Sequence, residues 1–295
     1  MFHLDTVNAV NRETEVNPSN NVNIFSQRQQ SQYHEQKLVE QFCRATHLIK
    51  IIEGAAEAFV RNYNKSRRSE DALAPIILRL DFTYTDLVTH ARDLLELAIE
   101  EPLQFAEAIK YCAYGLVRAH IKAVANEPPA LKTPTIDIAQ LHAQWRILGL
   151  PVQRNLQFDP SQHLYRLGLA LVHGILSAFS ATETLVLQSI WYCGSGCMRN
   201  AIQTTSTDAP SCSNCSRPMT EYSKLRVTEN YRFIAILPKA CVQTPRVLNQ
   251  TFRPILVRLR DFTYNCALKL GACYLITGYF SSSPACFESC TLDEA

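Results

Sequence analysis

Four cysteines form two closely spaced pairs in the second half of the chain. Three residues separate Cys193 from Cys197, two separate Cys212 from Cys215, and fourteen lie between the pairs. This spacing lets both sulfurs of a pair point toward one ion, and it is typical of a small zinc ribbon. Four thiolates leave no open coordination position. The pattern therefore predicts one structural Zn²⁺ rather than a catalytic ion.

Disulfides are an alternative use of these thiols. The chain has 11 cysteines, an odd number, and residues 1–20 are polar, without the apolar segment of a secretory signal. Both features favour a reducing compartment. Most of the other seven cysteines are expected to be small buried side chains, and the Cys-x3-Cys spacing of Cys286 and Cys290 near a frayed terminus is interpreted as chance. The alternative to zinc is that the four paired cysteines are also core residues and bind no metal.

Length and composition allow two folded domains. The chain has 295 residues, of which 47% are apolar, enough to fill two cores. Its formal net charge is only +2, so any nucleic-acid binding must be local. The longest apolar stretch, 167–181, is shorter than the roughly twenty residues that a spanning helix needs. We therefore expect no transmembrane segment and no membrane partner.

Local patterns divide the chain into three parts. Residues 1–33 are rich in Asn, Gln, Ser and Glu and are predicted to be disordered. Residues 34–127 carry apolar side chains every three or four positions, which predicts a helical bundle that opens with one long helix over 33–63 and includes a short strand over 76–82. Consecutive prolines follow Glu127 and cannot continue a helix, so we place the domain boundary there.

Residues 128–295 are rich in short β-like segments. Strands are predicted over 135–138, 165–179, 184–193, 225–237, 255–260 and 273–280. Five or six strands around a zinc ribbon at 192–222 predict an OB-type barrel, a fold that binds single-stranded nucleic acid across one face. The predicted fold class is α+β, with an N-terminal helical bundle followed by an OB-type β-barrel that carries an inserted four-cysteine zinc ribbon.

Several segments, in this order, resemble one known family. Residues 75–81 followed by Glu101-Pro102 are similar to its first strand and helix pair, and residues 169–176 are similar to the strand that opens its barrel. The cysteine pairs follow at the usual distance, and residues 224–236 and 270–278 are similar to its returning strands. The family is that of the minichromosome maintenance (MCM) replicative helicases. The resemblance covers their N-terminal half, over about residues 35–280.

The resemblance is closest to the split meiotic branch of this family, the mei-MCM group related to MCM-domain-containing proteins. The 295 residues contain no Gly-x4-Gly-Lys-[Ser/Thr] phosphate-binding loop. In the split branch a companion chain supplies the ATPase-like half. The resemblance thus implies a non-enzymatic nuclear subunit, assembled with that companion and other MCM-like chains. Such a complex would promote meiotic recombination and crossover formation by antagonising an anti-crossover helicase, and DNA would be contacted through the complex.

Basic residues after the ribbon are the candidate DNA contacts. The MCM collar places a DNA-facing hairpin and a barrel strand in this region, where Lys and Arg would neutralise phosphates. The residues are Lys239, Arg246, Arg253, Arg258 and Arg260. Arg258 and Arg260 alternate with apolar neighbours as in any half-buried strand, so a merely solvent-facing role stays open. Tyr231 and Phe233 could stack on bases, although we expect at least one of them in the core.

Two other functional classes are weighed against the collar subunit. An autonomous single-stranded-DNA-binding protein of the replication-protein type would bind tightly as an isolated chain, whereas a collar subunit would bind weakly without partners. A zinc deaminase would need His-x-Glu, and none of the eight histidines is followed two places later by glutamate. A Gly-x-Ser-x-Gly nucleophile elbow is also absent from the sequence. We therefore expect no enzymatic activity.

Overall fold

The computed structural model describes residues 18–66, 72–125, 134–160, 166–195, 197, 200–203, 208–239, 253–282 and 285–295. The helices within these ranges are α1 Pro18–Ala45, α2 Leu48–Ser66, α3 Tyr84–His90, α4 Arg92–Glu100 and α5 Pro102–Ala125. The strands are β1 Ile76–Thr83, β2 Leu141–Leu148, β3 Leu169–Phe179, β4 Glu183–Tyr192, β5 Asn200–Gln203, β6 Thr220–Glu221, β7 Val227–Pro238, β8 Ile255–Leu259, β9 Cys273–Ser282 and β10 Ala285–Glu294. None of the described helices is both long and apolar enough to cross a membrane.

The first two helices differ from the sequence prediction. α1 begins at Pro18, inside the segment predicted to be disordered, because proline suits a first helical turn and the Gln-rich stretch after it has good helix propensity. Residues 1–17 lie outside the described part of the chain. The single helix predicted over 33–63 is two helices, since α1 ends at Ala45. There the Thr46 hydroxyl donates to the Phe42 carbonyl oxygen at 2.9 Å, a bond that bends helices.

The helices pack on a two-stranded parallel sheet. β1 pairs with β2 in the register Ile76↔Leu141. The short strand predicted over 76–82 is thereby confirmed as β1. A chain of aromatic rings runs through the core, with centroid separations of 5.6 Å for Phe42–Phe82 and 5.3 Å for Phe82–Phe105. Burial of these rings, together with the apolar faces of α2, α4 and α5, holds the N-terminal unit together.

β2 was not predicted, although it completes this unit. It follows the boundary predicted after Glu127, yet it pairs with β1, and its Leu141 and Ile147 are buried in the helical core. Most residues between those two are half-buried, so β2 lacks the alternation that marks a strand in sequence. The strand predicted over 135–138 is wrong. Asp137 instead caps a single 3₁₀ turn that leads into β2, accepting a hydrogen bond from the Ala139 backbone N–H at 2.8 Å.

Five strands close into an OB-like barrel. Their order around the barrel is β3, β7, β8, β10, β9 and back to β3. All neighbours are antiparallel except β8 and β10, which run parallel at Val257↔Phe287. The interior is filled by Phe158, Ala170, Val172, Leu176, Ile234, Ile236, Val257, Leu259, Tyr274, Ile276 and Phe287. Between the first and second barrel strands, β4 extends outward and carries β5 and β6.

β10 was also missed, because its sequence was interpreted as a frayed terminus. It pairs with β9 along most of its length, and Cys286 and Cys290 are only 4% and 8% exposed. The two thiols are therefore buried strand residues, as most of the unpaired cysteines were expected to be. The strands predicted at 184–193, 225–237, 255–260 and 273–280 correspond to β4, β7, β8 and β9 within a few residues.

Two glycines with open surroundings are expected to respond oppositely to alanine. Gly115 lies in the middle of α5, and a Cβ there would meet nothing within 4 Å. Gly115→Ala should stabilise the protein by about 0.5–1 kcal/mol, since alanine loses less backbone entropy in a helix. Gly149 is equally open but has φ of +69°, so Gly149→Ala should destabilise by about 1 kcal/mol. Urea unfolding measures both changes in the free energy of unfolding. Changes of the same sign in the two variants would contradict this prediction.

Candidate functional site

The paired cysteines come together at the outer end of β4. The sulfurs of Cys193, Cys197, Cys212 and Cys215 all lie within 4.8 Å of one another, and the Cys193 and Cys215 sulfurs are 3.5 Å apart. A tetrahedral ion with bonds of about 2.3 Å needs sulfurs about 3.8 Å apart. The arrangement is therefore compatible with a structural metal site that has two ligands from each pair.

Strand pairing brings the two halves of the site together. Tyr192, the last residue of β4, pairs with Asn200 on one side and with Thr220 on the other, so the segments that carry the two cysteine pairs meet beside Cys193. The cysteines share a small cluster with Trp191 and Met219, each 6% exposed. This cluster is separate from the two larger cores and buries little apolar area, so a metal held by the four sulfurs would supply much of the stability of the ribbon.

Hydrogen bonds shape the second cysteine pair and join it to the first. The Ser216 backbone N–H donates to the Cys212 carbonyl oxygen at 2.8 Å, and the Cys212 backbone N–H donates to the Arg217 carbonyl oxygen, also at 2.8 Å. Ser216 has φ of 56°, the left-handed conformation that such a tight turn requires. The Arg217 guanidinium donates to the Ser195 hydroxyl at 3.1 Å, which links the two turns directly.

The thiols influence one another's ionisation. A backbone hydrogen bond from Ser195 lowers the pKa of Cys193 to about 6, assisted by the neighbouring sulfurs. A hydrogen bond with Asn214 lowers the pKa of Cys197, but Cys215 and Cys193 raise it, with a net result of about 11. Crowded thiols resist complete ionisation because like charges repel. A bound cation removes that repulsion, and an all-sulfur ligand set suits zinc or another thiophilic metal.

The five basic residues proposed to contact DNA fall into two groups. Lys239 follows β7 directly and is half-buried, whereas Arg253 precedes β8 and is exposed. The pairing Ile236↔Ile255 brings both to the same end of this strand pair. No carboxylate of the described residues lies within ion-pair distance of either cation. Arg246 lies outside the described residues.

Arg258 and Arg260 are committed to carboxylates of the same chain. Arg258 donates from Nε to Glu288 at 3.0 Å, and the two side chains are only 12% and 6% exposed. Arg260 lies 3.4 Å from Glu229 and 3.2 Å from Asp261. A guanidinium engaged in this way has little capacity left for phosphate. The sequence could not distinguish these two arginines from the others, because their partners lie up to 31 residues away in the chain.

A polar network that sequence reasoning missed joins β2 to the barrel. The Gln144 amide donates to the Asp261 carboxylate, and the Asp261 backbone N–H donates to Glu229 at 2.9 Å. Burial raises the pKa of Glu229, while Arg260 opposes that rise. Two residues earlier on the same face of β2, the His142 Nε2 and Gln188 Oε1 atoms are 2.8 Å apart, which connects the N-terminal unit to the base of the ribbon. No local sequence pattern marks contacts between such distant segments.

Tyr231 and Phe233 both lie on the outside of the barrel. Each is half-buried, and their ring centroids are 5.6 Å apart in an edge-to-face arrangement. The prediction that at least one of them is a core residue is wrong, because the alternate residues Ile234 and Ile236 fill the interior instead.

Comparisons with known proteins inform the fold. No protein-family model matches the sequence, and no curated protein matches it. Among solved structures, the chain is similar to the N-terminal domain of an archaeal MCM, with a TM-score of 0.54 and 9% sequence identity. The match covers 90% of this chain and 99% of that one. At this identity the likeness concerns architecture, and the chain is similar in fold to an MCM N-terminal domain.

Proposed function

We propose that this chain is a non-enzymatic MCM-like subunit whose assembly obtains any ATPase activity from a partner chain. The observation that carries the proposal is the likeness of fold to an archaeal MCM N-terminal domain over 90% of the chain. The absence of a phosphate-binding loop from the 295 residues agrees with it. The subunit acts in the nucleus, in a complex that promotes meiotic recombination and crossover formation by antagonising an anti-crossover helicase. Its partners are an ATPase-half chain and other MCM-like subunits.

The four-cysteine site holds one Zn²⁺ that keeps the ribbon folded. Four sulfurs within 4.8 Å of one another satisfy a tetrahedral ion completely, so no position is left for substrate. Within the complex the ribbon is a stiff projection that docks against other subunits.

Partner identity is the direct test of the assembly. The full chain, tagged and purified from meiotic cells under mild cross-linking, is expected to bring down a chain with an MCM-type ATPase module in a stoichiometric complex. A chain recovered only as a monomer would refute the proposal. A Cys212→Ser variant serves as the matched control, because an unfolded ribbon should weaken assembly without removing the barrel.

Among the candidate DNA contacts that the structure describes, we expect phosphate contacts from Lys239 and Arg253 only, because neither is paired with a described carboxylate. The double variant Lys239→Ala/Arg253→Ala should weaken binding to a single strand, and the slope of log affinity against log salt should fall by about 0.7 per lost contact. Arg260→Ala, which removes a cation already paired with Glu229 and Asp261, should leave that slope unchanged. Fluorescence anisotropy at several salt concentrations measures both. If both variants reduce the slope equally, the distinction between phosphate-binding and internally paired cations is wrong.

An autonomous single-stranded-DNA-binding protein is the second candidate. The OB-like barrel and the two unpaired cations favour it. Nanomolar binding by the isolated chain at physiological salt, with no ATPase-type partner recovered, would select this alternative over the collar subunit.

A further inference from the structure

We propose that Cys273 is a modification site that forms a mixed disulfide with a small anionic disulfide such as glutathione disulfide. His173 takes the proton of the thiol, and Lys239 attracts the negative charge of the reagent. We call these three side chains the thiol site. It is separate from the four-cysteine cluster and goes beyond the proposed function, because the reaction needs neither DNA nor a partner chain.

The thiol site lies where β3 runs between β7 and β9. Gly174 of β3 pairs with Pro238 on one side and with Tyr274 on the other. Lys239 directly follows Pro238, and Cys273 directly precedes Tyr274, so the two residues flank β3 from opposite sides. Neighbouring strands are about 4.8 Å apart, so about 10 Å separates the two flanking backbones. One small molecule can therefore contact both side chains.

The thiol and the imidazole point to the outside of the barrel. Residues of a strand point alternately to opposite faces. Val172 and Tyr274 fill the barrel interior, so the residues next to them, His173 and Cys273, face outward. Both are half-buried, which leaves the sulfur accessible to a small reagent.

Cys273 and His173 are arranged as a nucleophile and its base. His173 Nε2 lies 3.3 Å from Cys273 Sγ, within hydrogen-bonding distance for sulfur. Burial lowers the pKa of His173 and the positive charge of Lys239 lowers it further, so the imidazole is neutral at physiological pH. A neutral imidazole with its proton on Nδ1 accepts from the thiol at Nε2. It can take the thiol proton while the sulfur attacks.

Lys239 determines the class of reagent. No carboxylate of the described residues lies within ion-pair distance of its ammonium group. A cation without an internal partner attracts a reagent that carries carboxylates. Glutathione disulfide carries several carboxylates and belongs to the main thiol pool of a reducing compartment. Its charge and its reactive S–S bond therefore match the thiol site.

The proposed reaction is a thiol–disulfide exchange. The Cys273 sulfur attacks one sulfur of the reagent while its proton passes to His173. The S–S bond of the reagent breaks, and a new S–S bond joins Cys273 to one glutathione. The other glutathione leaves as a thiolate and takes the proton from His173. The reagent is thus the oxidant, Cys273 is oxidised to the mixed disulfide, and one glutathione thiol is released.

The first test uses the unaltered full chain, purified with zinc in the buffer. The protein is incubated with glutathione disulfide, free thiols are blocked with N-ethylmaleimide, and mixed disulfides are mapped by mass spectrometry over time. Cys273 should react at least about tenfold faster than Cys266. Cys266 is a matched internal control, because it is also half-buried but its sulfur faces the Phe262 carbonyl oxygen at 4.0 Å rather than an imidazole. Equal rates at the two cysteines would overturn the proposal.

Variants separate the base from the charge. His173→Gln keeps a polar side chain but removes the base, so it should slow modification of Cys273 at least about tenfold. This loss should be the same for glutathione disulfide and for the neutral 2-hydroxyethyl disulfide. Lys239→Ala should slow the reaction with glutathione disulfide about threefold and leave the neutral reagent unchanged. Arg253→Ala removes an equal charge on the far side of β7 and should change neither rate.

Two results in the variants would also overturn the proposal. If Cys273 in His173→Gln reacts at the wild-type rate, the imidazole is not its base. If Lys239→Ala slows both reagents equally or slows neither, the thiol site does not select an anionic disulfide. Urea midpoints equal to that of the wild type verify that each variant is folded. A negative outcome leaves the recovery of partner chains unaffected, so it is distinguishable from failure of the proposed function.

Discussion

Replacing Cys212 with serine is expected to abolish metal binding and unfold the ribbon while the rest of the protein stays folded. Elemental analysis should find about one Zn²⁺ per wild-type chain. The binding free energy of structural Zn²⁺ is about 10–16 kcal/mol in zinc-finger peptides. The ribbon has no comparable apolar core, because among its described residues Trp191 and Met219 are the only other buried members of the cluster. The helical core and the barrel core are separate clusters and should survive the loss.

The two tryptophans allow the units to be followed separately. Trp191 packs beside the cysteines, whereas Trp145 contacts Phe105 in the N-terminal core at a centroid distance of 4.8 Å. In a Trp145→Phe background, Cys212→Ser or chelation should shift Trp191 emission to the red. Cys266→Ser is the matched control, since Cys266 is half-buried but not part of the cluster. Retention of zinc by Cys212→Ser would contradict a four-thiolate site.

Gly278→Ala is expected to open the barrel. A Cβ at Gly278 would lie 2.7 Å from Cε1 of Phe287 and 2.9 Å from the carbonyl carbon of Glu288, with the Glu288 oxygen closer still. Backbone atoms cannot move aside as a flexible side chain can. The pairing of β9 with β10 must therefore shift, at a cost of about 3 kcal/mol, the upper end for overpacking.

Urea unfolding of Gly278→Ala measures this loss, and Gly115→Ala provides the matched control because it adds the same methyl group in open space. The backbone amides of β10, the strand that contains Phe287, should lose hydrogen-exchange protection first, while the helical unit keeps its protection. If the urea midpoint of Gly278→Ala equals that of the wild type, the paired strands β9 and β10 are not tightly packed at Gly278.

Elements with a strong local signal were predictable. The cysteine spacing identified the four sulfurs that the fold brings together, and the alternation in β7 and β8 identified two barrel strands. β2 and β10 were missed for a physical reason. The burial of β2 comes from β1 and from helices distant in sequence, β10 is buried at five successive residues, 286–290, and neither carries the simple alternation of a strand with one wet face.

The basic residues show the same division. Sequence identified Arg253 and Arg258 as equivalent cations after the ribbon, but only the fold distinguishes them, since Glu288 reaches Arg258 through the parallel pairing of β8 with β10. Arg253 has no such partner among the described residues.

The sequence by itself determined which four cysteines come together, most of the strands and the absence of a phosphate-binding loop from the 295 residues, because these depend on residues close together in the chain. Only the tertiary structure decided that the barrel closes through β10, which arginines are already paired, and that Tyr231 and Phe233 face outward. Those features depend on strand register and on contacts between distant segments, and such contacts form only when burial of the two cores brings the segments together.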